Sequence, residues 1–437
     1  MSDENSMHII TNFEKLATTP ARTSLLSIAE AGYRSIETSK VVRNGIVLDG
    51  DTLTVGNESY NMTEYQNVYV LGIGKCAHDS AVELEAVLGD RLTEGVVVDV
   101  SCAGDTLKKI RCLVGTHPFP SEENVSHTRE LLELAERATE HDLVIMIVSG
   151  GGSTLLCQPE THDHVDETKL VEYLFRAGAT IDELNTIRRH LSKARGGFVA
   201  QTASPATLVA LIFSDVPGDD IRVISSSPTV FDPTTLDDAF AVFDKYQADN
   251  SGFSREHFFE TPKDESIFKR VQNELILKNT TALEAMKTKA EELGYAAEIK
   301  ETKLQGEART VGEELINELR SAKKRTVHLY GGETTVTITG PGKGGRNQEL
   351  SLAALPLIDE DELIVSLASD GHDNTDFAGG IADKYTRGKA EDAKLKPEDF
   401  LFTNDSFSFF KTLEQGIETG YTGANVADLV IAIKHER

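Results

Sequence analysis

Four short apolar, β-branched runs in the first half of the chain, at residues 68–71, 96–98, 143–148 and 208–213, most narrow the choice of fold. Helix-like patterns lie between them at 123–138 and 182–192, the second with Leu184, Ile187 and Leu191 on one face. β-branched runs alternating with helical segments are how a parallel sheet with crossover helices reads. At 437 residues the chain exceeds the usual size of one hydrophobic core, so two domains with a cleft between them are expected.

The pattern weakens over residues 232–271, where Pro233 and Pro262 fall just after Pro228, and then resumes. Helices are expected at 280–293 and 306–322, and strands at 326–330, 333–339, 363–368 and 429–433. The expected fold class is therefore α/β in two domains. Residues 1–235 form a Rossmann-like parallel sheet with helices on both faces and glycine-rich anion loops. Residues 236–437 form a second α/β domain carrying the Gly344-Gly345-Arg346-Asn347-Gln348-Glu349 segment, and the active site lies in the interdomain cleft.

Lysine and arginine number 44 against 71 aspartate and glutamate, a net charge of -27, and no basic cluster offsets it. Nucleic acid and anionic membrane are thus poor partners. Such acidity suits a high-salt cytoplasm, which concerns habitat and not chemistry. Cys76, Cys102, Cys112 and Cys157 form no CxxC pair and follow no signal peptide, so reduced thiols in a cytoplasm are expected. The wholly apolar run 143–148, which no other exceeds in length, is too short to span a bilayer. No heptad or apolar patch fixes the oligomeric state, and a homo-oligomer is compatible with the chain.

Several glycine-rich turns follow the strands. Gly72-Ile73-Gly74-Lys75-Cys76-Ala77 has the GxGxxA spelling of a dinucleotide turn, with Asp99 at the end of the next strand for a ribose, but its lysine suits a phosphate or carboxylate equally. A purely structural β-to-α turn is the alternative. Ser149-Gly150-Gly151-Gly152-Ser153 can present several backbone N–H groups to one anion at a helix start, and it matches neither the P-loop nor the GxSxG elbow. Asp215 lies just past the last amino-terminal strand, where open α/β sheets place ligands, and could bind magnesium or accept a proton.

In the second half, Gly331-Gly332-Glu333 opens a β-patterned run that leads to Gly345-Arg346-Asn347, glycines that admit close approach beside a guanidinium suited to an anion. Asp370, Asp373 and Asp376 follow another apolar strand and suit a hard cation, although an acidic solvated loop explains them too. Asn185, Arg188 and Arg189 sit off the apolar stripe of their helix and could face a cleft. His117 and His190 lack ligand-spaced partners and read as packing or surface residues.

Taken in order, GIGKCA, GTHPFPSEENV, SGGGSTLL, DELNTIRRHLSKARGG, SDVPGDDIRVISSSPT, GGETTVTITGPGKGGRNQE, ASDGHDNTDFAGGIAD, NDSF and TGYTGANVADL resemble the glycerate 2-kinase family, whose carboxyl-terminal half is the MOFRL domain. Residues 250–302 carry none of these motifs. The resemblance implies transfer of the ATP γ-phosphoryl group to the 2-hydroxyl of D-glycerate with Mg2+, giving 2-phosphoglycerate and ADP. It places the family's active-site lysine on Lys75 and its arginine on Arg346. Arg195 stands where lysine is common, Asn374 replaces a glycine and Tyr421 a proline, which bears on the shape of the substrate pocket.

The expected catalytic residues are therefore Lys75, Arg346 and Asp215. Substrate and nucleotide would be held by Gly74, Ser149, Gly150, Gly151, Gly152, Ser153, Asn185, Arg188, Glu333, Gly345 and Asn347. Asp370 and Asp373 would carry the metal. Two other readings stand beside this one: an NAD(P)H-dependent hydroxypyruvate reductase, and a non-catalytic small-acid binding protein.

Overall fold

The computed structural model describes residues 8–104, 106–216 and 218–436. These fall into two compact units, one made of 38–215 and 219–277, the other of the described parts of 1–37, 216–218 and 278–437.

The first unit opens with a small antiparallel sheet of β1 (Ile46–Asp49), β2 (Thr52–Val55) and β3 (Glu58–Asn61). Its main sheet contains β4 (Val68–Ile73), β5 (Glu94–Asp99), β6 (Ile110–Val114), β7 (Leu143–Val148), β8 (Thr207–Phe213) and β9 (Val271–Leu277). The order is β6-β5-β4-β7-β8-β9, and every neighbouring pair is parallel. All six residues of β4 and of β7 are buried, the signature of central strands covered on both faces. A parallel sheet sends every strand's carboxyl end to one edge, so the turns after β4, β7 and β8 emerge together.

The units do not divide at 235/236. Residues 236–277 belong with the parallel sheet because β9 extends it by one strand, and because Ala239 and Phe243 of the helix Leu236–Lys245 pack with Leu184 and Ile187. Residues 8–37 belong with the second sheet. There Arg22, fully buried, donates from Nε and Nη2 to Asp383 at 2.6 and 2.7 Å and from Nη1 to Gln415 at 2.6 Å, and the Tyr33 hydroxyl donates to the Ala368 carbonyl at 3.0 Å.

The second unit is built on β10 (Ala296–Leu304), β11 (Thr326–Gly332), β12 (Glu362–Ala368), β13 (Gly379–Asp383), β14 (Gly416–Ile417) and β15 (Asp428–Lys434), in the order β10-β11-β15-β12-β13-β14. Only β10 and β11 are parallel neighbours; the other pairs are antiparallel. Helices Ala308–Arg320 and Arg346–Ala354 bury Ile316, Leu319, Leu350 and Ala354 in a core shared with Ile364, Phe409 and Val430.

Two expectations fail here. The run 333–339 is not a strand: its one ladder contact is an isolated bridge between Thr335 and Glu307. Its N–H groups find mixed partners: Glu333 and Thr335 donate to the carbonyls of Leu304 and Gly306 at 2.8 Å each, Thr337 to the Glu307 carboxylate at 3.1 Å and Thr339 to Asn404 at 2.7 Å, so no regular partner strand is required. The four thiols are not all free, because Cys102 and Cys112 form a disulfide across a separation of 10 residues, while Cys76 and Cys157 are free and buried.

Candidate functional site

Where the order β5-β4-β7-β8 turns outward in both directions from β4 and β7, an open sheet leaves a crevice beyond its carboxyl edge. β4 ends at Ile73, and the chain passes through Gly74, Lys75 and Cys76 into the helix Ala77–Leu88. Gly74 adopts φ +111, and a Cβ there would lie 2.0 Å from Ser149 Oγ and 2.5 Å from its carbonyl oxygen, so only glycine lets this turn touch the one after β7. The two turns are stitched together. Lys75 N–H donates to the Gly150 carbonyl at 2.9 Å, and Ser149 donates to the Ile73 carbonyl from its backbone at 3.0 Å and from Oγ at 3.1 Å.

Asp215, just past β8, lies against the same turn: a Cβ on Gly150 would sit 2.2 Å from Asp215 Oδ2. Burial raises its pKa above the ordinary carboxylate range, and Lys75 draws it back down. Behind the turn stands a run that sequence reasoning missed. Ser225, Ser226 and Ser227 all take left-handed backbone, with φ of 51°, 56° and 51°. Ser225 Oγ donates to the Ser149 carbonyl at 2.7 Å, and Ser226 Oγ lies 2.9 Å from Ser153 Oγ and donates to Asn185 Oδ1 at 2.9 Å. The serines stand in the SDVPGDDIRVISSSPT segment, which gave them no role, because what marks them is backbone conformation.

Asn185 and Arg188 ride on the helix Ile181–Arg189, which starts in a capping box where Thr180 and Glu183 satisfy each other's backbone N–H groups. Arg189, expected to face a cleft, is instead buried and paired with Asp232 at 3.2 Å. His117, read as a packing or surface residue, lies in this cluster. Burial, with Lys75 and Arg188 beside it, lowers its pKa to about 4. Thus Gly74, Lys75, Ser149, Gly150, Gly151, Gly152, Ser153, Asn185 and Asp215 come together, joined by the serine run and His117. Asp99 does not point to a ribose: its carboxylate accepts from the N–H groups of His78, Val100 and Ser101 at 2.9, 2.6 and 3.3 Å, closing the start of the helix Ala77–Leu88.

In the second unit the helix Arg346–Ala354 begins at Gly345. Asp373 lies against that glycine, where a Cβ would be 2.2 Å from its Cγ, and its carboxylate accepts from Asn347 and Gln348 N–H at 3.1 and 2.8 Å. The side chains of Asn347 and Gln348 add donors at 3.2 and 3.0 Å, so four N–H groups occupy the carboxylate. This is an anion at a helix amino terminus supplied by the protein itself.

Arg346 is not a lone cation. Its Nε and Nη2 donate to Asp428 at 2.6 and 3.1 Å, and its Nη1 pairs with Glu333. Burial alone would lower its pKa, but Asp428 outweighs that and raises it. Asp428 also accepts from Asn347 Nδ2 at 2.9 Å. A polar pocket of about 180 Å3 opens beside these groups, lined by Arg346, Asp370, Asp373, Asn425 and Asp428. Burial pushes Asp428 up to about 6 against the pull of Arg346; burial does the same to Asp373, with backbone donation from Gln348 opposing it and Asp428 adding to it. Asp428 was not singled out in the sequence, since its place beside Arg346 depends on the antiparallel pairing of β11 with β15.

Comparison with known proteins points the same way. Residues 24–256 match the model of a domain of unknown function, DUF4147, and residues 326–428 match that of the MOFRL family. The chain is 35% identical over 427 residues to glycerate 2-kinase of Pyrococcus horikoshii, covering 93% of this chain and 96% of the relative. It is 37% identical over 379 residues to D-glycerate 2-kinase of Thermotoga maritima, covering 84% and 90%. The crystal structure of glycerate kinase from Thermotoga maritima superposes with a TM-score of 0.83 at 32% identity, covering 94% of this chain and 99% of that one. With shared sequence and shared fold over nearly its full length, the chain belongs to the glycerate 2-kinase family.

Proposed function

We propose that this chain transfers the γ-phosphoryl group of ATP to the 2-hydroxyl of D-glycerate, releasing 2-phosphoglycerate and ADP. The observation that carries the reading is the pair of stitched turns after β4 and β7, which sets Lys75 against Gly151 and Asp215 against Gly150 of the 149–153 loop in a chain of this family. The strand order and the all-parallel pairing support a Rossmann-like, doubly wound sheet with helices on both faces.

Phosphoryl transfer asks a protein mainly to align reactants and neutralise spreading charge. Lys75 and the backbone N–H groups of Gly150 to Ser153 hold anionic oxygens. Asp215, with its raised pKa, is suited to accept the proton of the attacking hydroxyl. Arg346 offers a further cation suited to an anionic group, held in a fixed orientation by Asp428 and Glu333. Asn185, Glu333, Gly345 and Asn347 act by shaping these groups.

The donors beside Arg346 fit a magnesium ion. Asp370 offers hard oxygens in the polar pocket that Arg346 lines. A magnesium ion in a kinase is carried largely by nucleotide phosphates and one or two carboxylates. Asp370 is the better ligand, because the Asp373 carboxylate is taken up by four N–H donors. Bound magnesium would neutralise phosphate charge; Asp373 serves it by positioning.

Phosphorus NMR of the product from D-glycerate and magnesium ATP should show a phosphomonoester on carbon 2. A 3-phosphate would overturn the regiochemistry, and NADH oxidation with hydroxypyruvate but no ADP formation would favour the reductase. The occupied Asp99 already argues against that rival.

Asp428 makes the reading sensitive to pH. Protonation below about pH 6 removes the negative partner that orients Arg346, so kcat/KM should fall on an acid limb near pH 6. Asp428→Asn should lower kcat/KM at neutral pH and flatten that limb; an unchanged limb would assign it elsewhere.

A cytoplasmic location belongs to the same reading. Among the described residues no helix is long and apolar enough to cross a membrane, although the Cys102–Cys112 bridge removes the support that four reduced thiols would have given.

A further inference from the structure

We propose that Ser153 determines which hydroxy acid the first unit accepts: its Oγ receives a hydrogen bond from the substrate hydroxyl that is not phosphorylated, the 3-hydroxyl of D-glycerate, because Ser226 and Asn185 have taken up the serine's own proton. The inference rests on the kinase reading for the identity of the acid but not for the polarity of the serine.

The first support is a count of protons. Asn185 Oδ1 can only accept, and Ser226 Oγ donates to it at 2.9 Å. A serine hydroxyl has one proton, so in the 2.9 Å contact between Ser153 Oγ and Ser226 Oγ the donor is Ser153. The chain therefore runs in one direction, from Ser153 through Ser226 to Asn185. Ser153 has only lone pairs left for a ligand, and lone pairs take a hydroxyl proton but repel an anionic oxygen.

Burial is the second support, because it keeps water from reversing that direction. Ser226 is 0% exposed and Asn185 2%, while Ser153, in the glycine loop, is the half-buried member. The backbone is held in the left-handed region to make these contacts, with φ of 51°, 56° and 51° at Ser225, Ser226 and Ser227, and Ser225 Oγ fastens the start of the same loop by donating to the Ser149 carbonyl at 2.7 Å.

The Asn185 amide is the third. With Oδ1 turned to Ser226, its Nδ2 donates to no group among the described residues, yet it is not sealed from solvent as the orphaned Ser227 Oγ is. A nearly buried amide thus keeps one donor on the accessible side, two hydrogen bonds along from the acceptor on Ser153. A hydroxyl both accepts and donates, and so matches the two together; a carboxylate or phosphate oxygen matches only the donor. Glycerate has two hydroxyls. The 2-hydroxyl gives up its proton during transfer, to Asp215 on the reading above, which leaves the 3-hydroxyl for Ser153. The ribose of the nucleotide carries hydroxyls as well, and the test separates the two sources.

Calorimetric titration of the intact chain with D-glycerate and with D-lactate, which lacks only the 3-hydroxyl, reads the selectivity without turnover. The parent should bind D-glycerate more tightly, and Ser153→Ala should cut the glycerate-to-lactate affinity ratio by about tenfold or more, the effect of losing a hydroxyl contact in a site built for it. Ser226→Gly leaves Ser153 its hydroxyl but frees the proton, so the ratio should fall there too, by about threefold or more. A merely structural role for Ser226 would weaken both acids alike. Glycine takes left-handed backbone more readily than serine, so the variant is not strained at that position, and its melting temperature reports any loss of fold separately. In steady-state kinetics, the preference for ATP over 2′-deoxy-ATP and 3′-deoxy-ATP should be the same in the parent and in Ser153→Ala.

Equal weakening of the two acids by Ser153→Ala would mean that its hydroxyl donates to the carboxylate they share, and would overturn the proposal, as would a parent that binds both acids equally. A collapse of the ATP preference in place of the acid ratio would move the contact to the ribose and overturn it as well. If ADP forms from D-glycerate but the acid ratio is the same in Ser153→Ala as in the parent, the subsite fails while the kinase reading stands. If the ratio depends on Ser153 but no ADP forms, the kinase reading fails while the subsite stands.

Discussion

Lys75→Ala should lower turnover of D-glycerate with magnesium ATP by about 100-fold or more, the scale seen when one preorganised transition-state donor is lost. The argument begins with the backbone. Lys75 N–H is bonded to the Gly150 carbonyl and Gly74 is locked against Ser149, and alanine keeps both contacts. The side chain is half-buried and packs over Gly151 with its methylenes, so its removal takes a charge from the site without opening a core cavity. Folding stability should therefore change by no more than about 0.5 kcal/mol, which urea unfolding followed by circular dichroism would check. Because Lys75 helps to set the electrostatics of Asp215 and His117, the variant should also shift the pH profile. Turnover within about threefold of the parent would remove Lys75 from the chemistry, since the loss of a developing-charge contact cannot be that small.

Much of this site was legible because its chemistry sits where backbone pattern is strongest. β4 and β7 are apolar at nearly every position, and glycine-rich turns directly follow them, so each turn could be read as a candidate anion site, while their contact with each other could not. Other parts carry no such pattern. β9 is half-buried along nearly its whole length and β10 alternates exposed with half-buried residues, as edge strands do, so neither gives the apolar run that marks a central strand. That is why the pattern weakens over 232–271 in the sequence and residues from 236 onward were expected in the second domain, although β9 is the sixth strand of the first sheet. The run at 333–339 failed in the opposite sense: its threonines and valine favour a strand locally, but the side chains of Glu307 and Asn404 claim the N–H groups of Thr337 and Thr339. Asp428, Ser225 to Ser227 and His117 acquire meaning only through what the fold sets beside them. Arg346 shows the converse, a residue whose sequence signal was plain but whose charge is already held by Asp428 and Glu333.

Arg195→Ala should destabilise the protein by about 3–5 kcal/mol, the cost of stranding one member of a buried ion pair. The side chains of Arg195 and Glu167 are 1% and 4% exposed, and Arg195 Nη1 donates to Glu167 Oε1 at 2.6 Å. The guanidinium also donates from Nε to the Leu156 carbonyl at 2.7 Å and from Nη1 to the Arg188 carbonyl at 3.3 Å. It thus ties the segment after the glycine turn to the helix that carries Asn185 and Arg188. Burial alone would raise the Glu167 pKa, but Arg195 brings it down to about 2. A depressed carboxyl contributes stability above its unfolded value, near 4.5, and loses it as pH falls through about 2. The stability gap between parent and variant should accordingly narrow on acidification across that window. Arg195→Lys should cost less than alanine, since it keeps the charge for Glu167, but a single ammonium cannot reproduce the planar fork that serves three acceptors on three segments. The double variant Arg195→Ala with Glu167→Gln should recover part of the loss by removing the stranded charge. A single variant within about 1 kcal/mol of the parent in urea unfolding would mean that water reaches Glu167, and that the fastening of the Arg188 helix lies in its capping box and not in this pair.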